Sequence, residues 1–68
     1  MRAVEMISEG MEYYVERYVL PILRTRRAWR VQELLRLLES LRLPPKEVLE
    51  YLAESGRIRV VGVVAYVE

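Results

Sequence analysis

Sixty-eight residues, 11 of them basic and 10 acidic, give a net charge of +1 and room for one small domain. The chain has no cysteine and no histidine, which excludes disulfides, thiolate metal sites and the usual zinc chemistry. So even a balance excludes a global polycationic signature, and electrostatic binding can rest only on local clustering.

A core of this size supplies about 3–5 kcal/mol, and such chains normally need a staple. With disulfide and metal excluded, oligomerisation is the expected support. Every basic residue but Lys46 is arginine, Asp and Asn are absent, and Gln32 and Thr25 are the sole residues of their types. Charged residues retained while thermolabile amides are lost fit a hyperthermophile protein. The longest apolar run, Val60 to Val67, is far short of the ~20 residues of a membrane-spanning helix. Glu5 and Glu9 interrupt the stretch where a signal peptide needs apolar residues. The expectation is a cytoplasmic protein without a membrane partner.

The N-terminal segment, residues 1–25, predicts a long helix. Val4, Ile7, Met11, Tyr14, Tyr18 and Ile22 recur at spacings of three and four, and Val15, Val19 and Leu23 widen that stripe. Glu5, Glu9, Glu12 and Glu16 run along the opposite side. Gly10 weakens the helix, and Pro21, which lacks an amide proton and clashes with the Arg17 carbonyl, predicts a kink or break. One stripe suffices to cover a core. The other, Val4, Ile7, Met11, Tyr14 and Tyr18, therefore predicts a homodimer seam.

Residues 27–31, Arg-Ala-Trp-Arg-Val, predict a short strand. A leucine-rich helix follows over 32–40, with Leu34, Leu35, Leu37, Leu38 and Leu41 facing inward, and then a turn at 41–43. Pro45 suits the first turn of the next helix, Glu47 complements its dipole, and Gly56 suits the left-handed position past its end. Val48, Leu49 and Leu52 form its buried stripe, leaving Lys46, Glu47, Glu50 and Glu54 exposed. In the last segment Ile58 and Val60 alternate with Arg57 and Arg59, Gly62 supplies the positive φ of a tight hairpin, and Val64 and Tyr66 alternate with Ala65 and Val67. Trp29 is expected to pack near Ile58, Val60 or Tyr66.

Strand, helix, turn, helix and hairpin over residues 27–68 make an order that resembles the winged helix-turn-helix family. The fold expected is α+β, with three helices, a short strand, a C-terminal β-hairpin and an extended N-terminal helix. The resemblance implies nucleic-acid binding, with the second helix of the turn entering the major groove.

Catalysis has little to stand on. Neither Cys nor His is present to act as nucleophile or base, glycines are isolated, and Ser8, Ser40 and Ser55 lie near helix ends where capping is the default. No catalytic residue, cofactor or metal ligand is expected. The basic cluster is the functional candidate: residues 24–36 carry five arginines against Glu33 alone, a local charge of +4. Arg26, Arg27 and Arg30, with Lys46, Arg57 and Arg59, are the candidate phosphate contacts of a regulator or chromatin-associated factor. The same late-helix arginines could instead satisfy the helix dipole and pair with the glutamates of the first helix.

The groove-entering helix offers Lys46 against Glu47, Glu50 and Glu54, a net of −2, and the wing tip is Val61-Gly62-Val63. Acidic groups facing a polyanion oppose binding. A protein–protein interaction module, an adaptor in a larger assembly, is the alternative. Tyr13, Tyr14, Tyr18 and Trp29 could stack bases, but helical spacing favours packing for the tyrosines.

Overall fold

The computed structural model describes residues 9–68. The first helix, α1, runs through Glu9–Tyr14, a π-helical turn at Val15–Val19, and Leu20–Leu23. Pro21 is the physical reason for this interruption. It cannot donate to the Arg17 carbonyl and its ring would strike that carbonyl in a regular α-helix. The chain answers with a wider turn, in which the Leu20 amide donates to the Val15 carbonyl. The expected kink or break is thus a π turn, and the helix continues to Leu23.

Strand β1 (Ala28–Arg30) is followed without a gap by α2 (Val31–Ser40). The helix claims Val31, which the sequence pattern assigns to the strand. Helix α3 (Pro45–Glu54) then leads to strands β2 (Ile58–Val61) and β3 (Val64–Val67). The sheet is antiparallel with order β1-β3-β2. The result is an α+β arrangement compatible with the winged-helix order.

Both turn helices end in the same way. After α3, the Gly56 amide donates to the Ala53 carbonyl at 3.2 Å and the Arg57 amide to the Leu52 carbonyl at 2.9 Å. After α2, the Arg42 amide donates to Glu39 at 2.9 Å and the Leu43 amide to Leu38 at 3.0 Å. These are paired Schellman bonds, which require a left-handed residue just past the cap. Gly56 takes φ +78° without penalty, whereas Arg42 takes +60° with a Cβ attached. The β2–β3 connection turns on Gly62 at φ +62°, where positive φ at the first loop residue alone fits a type II′ turn.

Val15, Val19, Leu20 and Leu23 of α1, Leu34 and Leu38 of α2, Val48, Tyr51 and Leu52 of α3, and Ile58, Ala65 and Val67 of the hairpin form one buried cluster. Of the leucines expected inward on α2, Leu34 and Leu38 are fully buried. Leu37 and Leu41 pack partly on the cluster, and Leu35 stays at its margin. Tyr51 belongs to the core although the α3 stripe Val48, Leu49 and Leu52 does not name it.

Replacing Arg42 by glycine should stabilise the protein by about 0.5–1 kcal/mol, since the left-handed strain exceeds the entropy glycine adds. Urea midpoints for the two proteins measure this. Burial, then the charges of Glu16 and Glu12, hold the Tyr51 hydroxyl above its ordinary value of 10.0. A raised folded value favours the neutral phenol. The stabilisation is complete below the unfolded value and is lost as pH rises from there through the folded value. Stability should therefore fall above a pH of about 10, and Tyr51→Phe should flatten that alkaline limb in urea titrations.

Candidate nucleic-acid interface

The arginine-rich stretch leaves α1 as a turn that the helix end itself pins down. The amides of Arg24, Thr25 and Arg26 donate to the carbonyls of Leu20, Ile22 and Leu23 at 2.9, 3.2 and 3.2 Å. The Thr25 hydroxyl donates to the Ile22 carbonyl at 2.6 Å. From the sheet side, the Val67 amide donates to the Arg27 carbonyl at 2.8 Å. The loop is therefore tied both to α1 and to the central strand.

Trp29 completes the clamp. Its register partner is Ala65, which also pairs with Val60, so Trp29 shares a face with Val60 as expected, whereas Tyr66, one residue on, faces the opposite side of the sheet. Its half-buried indole packs against the core. The indole N–H donates to the Leu23 carbonyl at 2.9 Å, satisfying an orphan group of the helix end. The Arg26 guanidinium lies over the ring, 4.0 Å from its centroid. Trp29 thus serves as a core and clamp residue, with its ring already occupied.

Arg26 also donates to the Glu33 carboxylate at 2.9 Å, and the Arg30 amide donates to the same carboxylate at 3.2 Å. Glu33 sits in the first turn of α2, where it caps the helix entry from the third position. The Arg26 hydrogen bond, then the Arg30 amide, hold the Glu33 carboxyl below the ordinary carboxylate range. Arg57 is paired with Glu16 of α1. Both pairs are nearly half exposed, so each contributes at most about 1 kcal/mol. Of the late-helix arginines expected to pair with first-helix glutamates, Arg26 turns to Glu33 of α2 instead, and the arginine that reaches a first-helix glutamate is Arg57, from the start of the hairpin.

The candidate contacts therefore fall into three groups. Arg26 and Arg27, joined by Arg24, line a concavity of about 260 Å³ with Val67 and Glu68. Arg30 lines a second, of about 330 Å³, with Val31, Gln32 and Val63. The two lie at opposite ends of β1, an edge strand. Arg59 stands across the sheet on β2, whereas Arg57 precedes that strand and is held by Glu16. Lys46 is exposed in the first turn of α3 among Glu47, Glu50 and Glu54. Among the described residues, no group of three acidic side chains is placed to hold a metal. No helix there is long and apolar enough to cross a membrane.

Of the expected dimer seam, Val4 and Ile7 lie outside the described residues. Met11 is partly buried against the core, so it is a core contributor. Tyr14 and Tyr18 stay at the surface, their rings 5.1 Å apart, with Tyr13 and Ile22 exposed beside them. Tyr66, expected as a packing partner of Trp29, is instead 41% exposed in the central strand, on the face opposite Trp29. The signal for this was the two-residue alternation with the buried Ala65 and Val67. Comparison of the chain with protein-family models, with curated proteins and with solved structures finds no match.

Proposed function

We propose that this protein is a winged-helix nucleic-acid-binding factor, regulatory or chromatin-associated, that grips phosphates along β1 rather than reading bases with α3. The convergence of Arg24 and Arg27 on one concavity carries this reading, with Arg26, already held by Glu33, and Glu68 completing its lining. Arg30 extends the basic edge to the other end of the strand. Guanidinium groups so placed would displace counterions from a phosphate backbone. The sheet order β1-β3-β2, with α2 and α3 between β1 and the hairpin, supports the winged-helix assignment. The acidic exposed side of α3 favours backbone contact over major-groove insertion.

Charge reversal at Arg27 and Arg30 should weaken binding to random-sequence duplex DNA uniformly and lower the salt slope by about two. Glu50→Gln should strengthen binding by removing repulsion. Anisotropy titrations at two salt concentrations measure both, and affinity independent of salt would defeat the reading.

A second reading, an interaction module that associates through protein contacts, is favoured by the apolar surface of α1. Tyr13 and Tyr18 are 63% and 52% exposed, with Tyr14 and Ile22 alongside, and Val63 at the hairpin tip is 75% exposed. Pairing of two α1 helices along Tyr14, Tyr18 and Ile22 would cover such a patch and stabilise each subunit by mass action. Sedimentation equilibrium should give twice the 8.1 kDa chain mass. Tyr18→Glu should return the monomer, and a monomer throughout the micromolar range would exclude the pairing.

A further inference from the structure

We propose that the solvent face of the sheet binds single-stranded nucleic acid, one base stacking on Tyr66 while Arg30 and Arg59 hold the adjoining phosphates. The inference rests on the phosphate-contact reading above and adds to it the class of strand. Strand register sets the geometry. Ala28, Tyr66 and Arg59 form one row across the sheet, and Arg30, Val64 and Val61 form the next. Ala65 and Val67, on the other parity, are buried, so these two rows face solvent. Arg59 stands directly opposite Tyr66, at a typical separation of about 5 Å, and Arg30 stands on the diagonal, at about 7–8 Å. Two arginines thus flank Tyr66 on this face, one from each edge strand.

The ring is open for use. Tyr66 is 41% exposed, and its neighbour in the row toward β1 is the small side chain of Ala28. Among the described residues, the guanidinium seated on an aromatic ring is that of Arg26, over Trp29. Arg30 and Arg59 therefore cover no aromatic ring, and neither enters a salt bridge among the described residues, although the charge of Arg30 also acts on Glu33. No carboxylate occupies either row. Glu68 lies beyond their end, in the concavity of Arg24, Arg26 and Arg27.

An exposed aromatic ring on a sheet, flanked by cations, complements the two parts of an unpaired nucleotide, a π-face and a phosphate. A duplex offers the phosphates but keeps its bases stacked on each other. The arginines could contact either form, whereas the tyrosine can contribute only to the single strand. Strand preference is therefore the property that separates Tyr66 from the arginines.

The test is fluorescence anisotropy at low salt with labelled oligo-dT, oligo-rU and a random-sequence duplex. The single strands should bind more tightly than the duplex. Tyr66→Ala should weaken single-strand binding by about five- to hundred-fold, the usual loss for one stacked base. Duplex affinity should be unchanged and Tyr66→Phe should bind like the wild type. Circular dichroism melts of both variants verify that the fold is retained. If Tyr66→Ala leaves single-strand affinity intact while Arg27→Glu with Arg30→Glu still weakens it, the stacking site is overturned and the phosphate reading stands. A loss shared equally by Tyr66→Phe also overturns stacking. If the wild type binds none of the three probes, both readings fall, and a protein partner for the basic edge takes their place.

Discussion

The indole of Trp29 holds the arginine-bearing loop to the body of the protein, and most of what is distinctive here depends on it. On one side its N–H bonds the Leu23 carbonyl at the end of α1. On the other, its strand pairs with β3 through Ala65. Above it lies the Arg26 guanidinium, itself bonded to Glu33 at the entry of α2. Trp29 and the Arg26 side chain above it therefore join the first helix, the sheet and the second helix. Each link is modest, on the order of 1 kcal/mol for the hydrogen bond and about as much for the cation–π contact. Together they reinforce a turn that backbone hydrogen bonds to α1 and β3 also hold.

That arrangement divides the arginines by role. Arg26 and Arg57 are committed to carboxylates and help to orient the loop and the start of β2. Arg24 and Arg27 share the concavity with Arg26, and Arg30 and Arg59 border the open face of the sheet. In a chain with a net charge of +1, Glu33 and Glu68 stand among the arginines of the β1 edge. The exposed side of α3 carries Glu47, Glu50 and Glu54 against Lys46. The proposed backbone grip and stacking on the sheet use other surfaces, β1 and the open face of the sheet.

The first helix shows a different economy. Pro21 would break a regular helix, yet a single π turn accommodates it and lets Leu20 and Leu23 reach the core together with Val15 and Val19. The same shift leaves Tyr14, Tyr18 and Ile22 outside. In a domain this small, such an uncovered apolar strip is as notable as the core itself.

Local chemistry determined a good deal by itself. The leucine spacing of α2, Pro45 and Gly56 at the ends of α3, and Gly62 in the hairpin each act within a few residues, and all stand where their own stereochemistry requires. The basic stretch from Arg24 to Arg30 was legible for the same reason. Tertiary structure decided the rest. The alternation of β3 allowed either Tyr66 or Ala65 to face inward, and only pairing with Trp29 settled which. Tyr51 stands outside the α3 stripe read from the sequence, and the packing of α1 and the hairpin on α3 buries it. Nothing local to Arg26 or Arg57 distinguishes them from Arg27 or Arg59, since their carboxylate partners come from other elements. Local rules set where elements begin and end. Which face is buried and which charge is engaged are properties of pairs brought together from distant parts of the chain, and only folding makes those pairs.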